Sequence, residues 1–198
     1  MKNFLFSVMT VILMLLSGQV SAAGLSNTVR GGVFANDVGT IGVVEYEKLF
    51  GDRIAIGARL GALDYTYEDS SYEETGEGTG AEVLFRLYPS GEGFKGFYFG
   101  AGLGYWHSEW EFYESDLPFN YYYGSGETES INLNVGVGWK IPLGSRRIYL
   151  DPSIHLGNYF GISNESVYYD AFGNAYYDDA EPELGLYIIG GIAFGVAF

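Results

Sequence analysis

Ser153 and His155 stand two residues apart in "DPSIHL", the offset at which two side chains of an extended chain share a face. A hydroxyl and an imidazole so placed have the makings of a nucleophile and its base. "WHSEW" gathers the same chemistry in His107, Ser108 and Glu109. There, however, histidine and serine are adjacent, so on a strand they point to opposite faces and cannot share a proton. Pro152 precedes Ser153 and is expected to disturb the register of the first pair. No catalytic residue is assigned, and the chain is read as not an enzyme. Ser153 with His155 is the best hydrolase hypothesis it offers.

A larger set of charged residues sits where a strand pattern turns inward: Arg30, Glu45, Glu47, Arg59, Glu82 and Arg86, with Lys140, Asp151 and His155 as further members. Charges forced into a confined space must pair. Two readings follow. One is an ion-paired plug that closes and stabilises the structure; the other is a charged filter in a narrow pore. The acidic run Asp178, Asp179, Glu181 and Glu183 offers oxygen ligands but lacks EF-hand spacing, so it is read as solvated charge, and neither metal nor cofactor is expected. Tyrosines gather in "FNYYYG" (Tyr121, Tyr122, Tyr123) and in "VYYDAFGNAYYDD" (Tyr168, Tyr169, Tyr176, Tyr177), the latter a hairpin turning at Ala171–Asn174. Tyrosine gives rigid, amphipathic contact area, which suits a recognition surface. The plainer reading is strand extensions above a membrane.

The elements that must carry these residues are strands. In "ESINLNVGVGWK" Ile131, Leu133, Val135, Val137 and Trp139 alternate with Ser130, Asn132, Asn134, Gly136 and Gly138. "GFYFGAGLGYW" sets Phe97, Phe99, Ala101, Leu103 and Tyr105 against Tyr98, Gly100, Gly102, Gly104 and Trp106. Eight such segments are predicted, at about 28–36, 40–49, 53–67, 78–89, 96–112, 128–141, 147–163 and 183–198.

Alternation fits a soluble barrel with an apolar interior or a membrane barrel with an apolar exterior. The second face decides. It carries Gly, Ser, Asn and Ala with a few charges, rather than the Lys and Glu of a wetted surface. Small residues fit a narrow eight-stranded interior, so the large apolar face is assigned to lipid. Trp139, Tyr105, Phe97, Tyr46 and Phe198 suit interfacial girdles. The connections "FGD", "PSGEGFK" and "PLGSR" are short. "EDSSYEETGEG", "YESDLPFNYYYGSGE" and "SNESVYYDAFGNAYYDDAEPE" are long and contain no Lys or Arg. Bacterial outer-membrane barrels place short turns in the periplasm and long loops outside.

The first residues, "MKNFLFSVMTVILMLLSGQVSA", place Lys2 before an apolar run from Phe4 to Leu16 and end on Val20-Ser21-Ala22. This is expected to be a signal peptide over 1–22, leaving a single barrel domain over 23–198. The chain carries 10 Lys+Arg against 25 Asp+Glu, which disfavours nucleic acid. It contains no Cys, so disulfides cannot staple the fold.

"IAFGVAF" places Ile192, Phe194, Val196 and Phe198 on one face. This resembles the C-terminal signature of bacterial outer-membrane barrel proteins, which is read by the barrel assembly machinery. With "GFYFGAGLGYWHSEWEF", the chain resembles the small OmpA/OmpX-type and opacity-type barrels over nearly its whole exported length. The resemblance implies an all-β, eight-stranded antiparallel up-and-down transmembrane barrel in the outer membrane, its long loops facing the cell exterior. It implies a monomer in contact with membrane lipid and lipopolysaccharide. The family also includes hydrolases that deacylate lipid A through a histidine and a serine with one residue between them, a pattern absent here. A structural or adhesive role through the acidic, tyrosine-rich loops, with an extracellular ligand or host surface as partner, is the preferred function. A narrow pore or conduit for small or hydrophobic molecules is the alternative.

Overall fold

A computed structural model of the chain describes residues 25–36, 39–117, 120–144, 147–178 and 184–198. The expected signal peptide lies outside the described residues, as do Asp179, Glu181 and Glu183 of the acidic run.

The described strands are β1 (Asn27–Ala35), β2 (Gly39–Phe50), β3 (Ile54–Glu68), β4 (Tyr72–Leu87), β5 (Gly96–Leu117), β6 (Asn120–Pro142), β7 (Ile148–Tyr169), β8 (Ala175–Asp178) and β9 (Leu184–Ala197). Each long strand pairs antiparallel with its sequence neighbours, and β7 pairs with both β6 and β9. The ring closes where β1 pairs with β9, Thr28 opposite Ala197 through Ala35 opposite Gly190. Phe198 completes the seam by exchanging backbone hydrogen bonds with Asn27. The chain is therefore an eight-stranded up-and-down barrel with β8 as a short ninth strand beside the end of β7. Closure leaves no open sheet edge within the ring, which a lipid environment demands.

The alternation sorts side chains as expected. Val83, Phe85, Phe99, Leu103, Leu133, Val135, Phe194 and Val196 stand exposed on the outside. On β5 the outward apolar run from Phe97 to Tyr105 covers about nine residues, within the ~9–11 that a tilted membrane strand needs. Above it the outward positions turn polar at His107, Glu109 and Glu111.

The three connections read as long loops are largely strand. β4 begins at Tyr72, β5 runs to Leu117, β6 begins at Asn120 and β7 runs to Tyr169. β5 and β6 reach 22 and 23 residues, more than twice a membrane crossing. The extensions lack the lipid-facing apolar run because their outward positions turn polar once the strands leave the apolar band, although rings such as Trp110 and Phe112 continue inward. Backbone pairing persists there, as Glu111–Ser125 and Tyr113–Tyr123 show. The interior also departs from the small-residue expectation. Tyr88, Tyr98, Trp106 and Tyr149 are all buried in the lumen. Glycines on adjoining strands make the room: a Cβ on Gly80 would collide with the Trp106 indole, and one on Gly138 with the Tyr98 ring.

Candidate functional site

Alternation on β1 to β4 turns Arg30, Glu45, Glu47, Arg59, Glu82 and Arg86 into the lumen, and the structure brings all six together. Lys140 of β6 and Asp151 of β7 join them. These eight groups are four cations and four carboxylates, none more than 6% exposed.

Glu45 is the hub. It takes a bidentate pair from Arg30, with Nε to Oε1 and Nη2 to Oε2 both at 2.8 Å. Arg59 Nε donates to Oε2 at 3.2 Å, and Arg86 Nη1 donates to Oε1. Arg59 Nη1 reaches Glu82 Oε2 at 2.9 Å, and Arg86 Nη1 reaches Glu47 Oε2 at 2.5 Å. Lys140 Nζ meets the same Glu47 oxygen at 2.6 Å, and Arg30 Nη1 pairs with Asp151. The register makes these contacts short-range: Glu45 lies directly opposite both Arg30 and Arg59, and Arg59 directly opposite Glu82. Charge-assisted, bidentate bonds of this kind are among the stronger available to a protein.

Neutral donors fill the remaining carboxylate valences. The Tyr88 hydroxyl donates to Glu47 Oε1 at 2.6 Å, and the Tyr98 hydroxyl to Asp151 Oδ1 at 2.9 Å. Asn132 Nδ2 donates to Glu82 Oε1 at 2.8 Å, and Trp106 Nε1 to the same oxygen at 3.3 Å. Sequence reasoning missed these supports. Their signal was a large polar aromatic at an inward position of a glycine-rich strand, as Tyr98 and Trp106 are. Apolar layers flank the cluster on both sides. Phe34, Ile41, Val43, Trp106 and Ile189 pack toward the strand extensions, and Leu49, Ala55, Tyr88 and Tyr98 toward the short turns.

The hydrolase candidates come out differently. His107 and Glu109 face outward, their side chains 3.7 Å apart, while Ser108 lines the lumen, so "WHSEW" makes no nucleophile. Pro152 does not displace Ser153 from His155. Pairing with β6 skips Asp151 and Pro152 and resumes in the same register, while pairing with β9 runs through them, so both side chains face inward with Oγ and Nε2 at 3.3 Å. The imidazole Nδ1 is buried without a hydrogen-bond partner. Among the described residues, the third group that orients a catalytic base is therefore missing.

The tyrosines lie on strand extensions rather than in loops. Tyr121 and Tyr123 face outward and Tyr122 inward on β6. Tyr123 stacks on Tyr169 at 5.2 Å, Tyr113 on Tyr121 at 6.4 Å, and Tyr168 on Tyr176 at 5.2 Å. Ile162 bulges from β7, because Glu129 pairs with Ser163 but Ser130 with Gly161. This switches parity, so that beyond it Tyr168 points inward and Tyr169 outward. Asp170 organises the expected hairpin turn. Its Oδ1 accepts from the backbone N–H of Phe172 and of Asn174, each at 2.9 Å, and Oδ2 accepts from the Asn174 side chain at 2.8 Å. Those bonds, the Asn174 side chain foremost, hold its carboxyl below the usual range. Phe172 and Tyr177 stand fully out at this tip. Ile192, Phe194 and Val196 line the outer face of β9 as expected.

No protein-family model and no curated protein matches the chain. Solved structures do. A major outer membrane protein from Thermus thermophilus is similar at 18% identity and a TM-score of 0.55, over 86% of this chain and 99% of that one. CarO of Acinetobacter baumannii is similar at 11% identity and a TM-score of 0.52, over 90% of this chain and 100% of that one. The fold is that of small outer-membrane β-barrels.

Proposed function

We propose that this chain, with the fold of a small outer-membrane barrel, resides in a bacterial outer membrane as a closed barrel. Its role is structural and recognitional: it displays acidic, tyrosine-rich strand extensions at the cell surface. It is neither a pore nor a hydrolase. One observation carries the reading. The buried ion cluster joins side chains from β1, β2, β3, β4, β6 and β7 across the lumen, between two apolar layers. A conducting filter needs hydrated, weakly held groups, whereas these charges are desolvated and compensate one another.

In this reading the leader over 1–22 directs export, and the outward Ile192, Phe194, Val196 and Phe198 engage the barrel assembly machinery. The short turns, with Lys48, Arg53, Lys95 and Arg147 nearby, face the periplasm. The extensions, with Tyr121, Tyr122, Tyr123, Tyr168, Tyr169, Tyr176 and Tyr177, face the exterior. The barrel is a monomer surrounded by lipid and lipopolysaccharide, and the partner of the extensions is an extracellular ligand or host surface.

Planar-bilayer recording tests the closed lumen. The purified barrel is expected to give no steady ion-selective current. Reproducible single-channel steps that change ion preference on Arg59→Ala would replace this reading with the pore.

A further inference from the structure

Directly above the closed layer the lumen opens into a vestibule of about 540 Å³. That volume falls in the range of small-molecule sites, ~300–1,000 Å³. Its walls are Tyr65, Trp106, Trp110 and Tyr159, and Glu74 stands among them. Its floor is Ile41, Leu63 and Ile189, which belong to the apolar layer over the ion cluster. The rings lie flat on glycine steps: a Cβ on Gly80 would strike Cδ2, Cε2 and Cε3 of Trp106, and one on Gly76 would strike Cε1, Cζ and Oη of Tyr65. Tyr65, half-buried, keeps one face toward the space, whereas Trp106 is 5% exposed and belongs to the layer beneath it. The polar tips of the tryptophans are already engaged, Trp106 Nε1 with Glu82 and Trp110 Nε1 with Thr128. What the rings offer a ligand is therefore their π-faces.

The charge around this vestibule is of one sign. Residues 60–85, 96–139 and 148–198 contain no Lys or Arg. A second space of about 730 Å³ meets the vestibule at Tyr65 and Trp110, and Asp64, Glu77, Glu109, Glu127 and Glu165 line it. These five carboxylates form one cross-strand row at outward positions of the strand extensions, each directly opposite the next from β3 to β7. Like charges so placed oppose one another and give the wall around the vestibule a negative potential. Glu74 accepts from Tyr65 Oη at 2.8 Å and from Tyr72 Oη. Burial first, and then these bonds, raise both phenols above their ordinary range, so they remain neutral donors that fix the carboxylate.

We propose that this vestibule binds a small organic cation, an ammonium group with apolar substituents, held by the faces of Trp110, Tyr65 and Tyr159 above the buried Trp106, with Glu74 as its counter-charge. Aromatic faces attract such cations, and a desolvating cavity strengthens the attraction. A neutral apolar ligand would gain nothing from the acidic row, and an anion would be repelled by it. The proposal rests on the closed floor, which makes the space a blind site rather than a passage.

Choline, with 3,3-dimethylbutan-1-ol as its uncharged carbon isostere, is the probe. The barrel is held in polyoxyethylene detergent, which presents neither ammonium nor sugar. The chain has three tryptophans, and Trp139→Phe leaves only the two in the vestibule. Choline is expected to give a saturable fluorescence change that weakens with salt, and the alcohol none. Equilibrium dialysis of labelled choline should show binding weakened about 3- to 30-fold by Trp110→Leu and restored by Trp110→Phe. Glu74→Gln should weaken it further and flatten its salt dependence. Equal binding of the alcohol, or no saturable binding up to about 100 mM choline, overturns the site. Conductance separates the two readings: a silent barrel without binding overturns the vestibule alone, and a conducting one overturns the closed floor as well.

Discussion

Glu45→Gln is the sharpest test of the lumen. Glu45 is 1% exposed and bonds three arginines: Arg30 twice at 2.8 Å, Arg59 at 3.2 Å, and Arg86. The amide is nearly isosteric, so no cavity opens. It converts one carboxylate oxygen into an NH₂ that points at guanidinium donors, and it leaves four buried cations facing three carboxylates. Breaking a buried pair from one side costs about 3–5 kcal/mol, because the stranded charge stays desolvated. Were the lumen a water-filled channel, the same change would cost ~0–1 kcal/mol. Urea titration of the barrel in lipid vesicles, followed by tryptophan fluorescence, reads the difference as a shift in midpoint at constant slope. Adding Arg59→Gln restores neutrality, and the double variant should be more stable than the sum of the two single losses predicts. A loss under about 1 kcal/mol, with additive single variants, would falsify the desolvated cluster.

Gly80→Ala should destabilise the barrel by about 1–3 kcal/mol in the same titration, because the added methyl meets the Trp106 ring; a neutral effect would mean the indole is not seated there. Asp170 has its carboxyl held low, so its support of the turn is complete above ~pH 4, the unfolded value, and is lost as pH falls through the lower folded value. Protection of the Phe172 and Asn174 amides, taken relative to the intrinsic exchange rate at each pH, should therefore fall on acidification, and Asp170→Ala should abolish that change in protection. Phe198→Ser should lower the amount of assembled barrel in cells while export continues, since it removes the terminal aromatic of the face that Ile192, Phe194 and Val196 form; unchanged outer-membrane levels would remove that role. Protease added to intact cells should cut near Phe172 and spare Lys95, and the opposite pattern would invert the orientation.

The barrel was legible in the sequence because a period of two is visible wherever one face meets an apolar environment and the other does not. Ile131 to Trp139 against Ser130 to Gly138 is enough to assign sides, and the same parity carried Arg30, Glu45 and Arg59 inward. The signal fades where the asymmetry of environment ends. Beyond Phe112 on β5 the alternation ends, so the sequence shows turn-like composition although the hydrogen-bonded ladder continues for five more residues, to Leu117. The Ile162 bulge was invisible for a related reason: the parity of Tyr168 and Tyr169 depends on one inserted residue in a stretch whose polarity does not alternate.

The inner face was half legible, and the missing half is instructive. Gly100, Gly102, Gly104, Gly136 and Gly138 suggest an interior of small residues. Read strand by strand, they say nothing of what fills the space they leave. Pairing supplies it, because a glycine on one strand is a seat for a ring on the next: Gly138 for Tyr98, Gly195 for Tyr149, Gly157 for Tyr187. The cross-strand neighbour of an inward glycine is therefore where a narrow barrel can keep an aromatic. The ion cluster is built on the same principle. Gly104 admits the stem of Glu82, so its carboxylate can reach Arg59 while accepting from Asn132 and Trp106. A side chain larger than glycine at position 104 would push Glu82 off Arg59. The glycines of this chain thus do more than relieve crowding: they determine which charges can meet, and with that whether the lumen is closed.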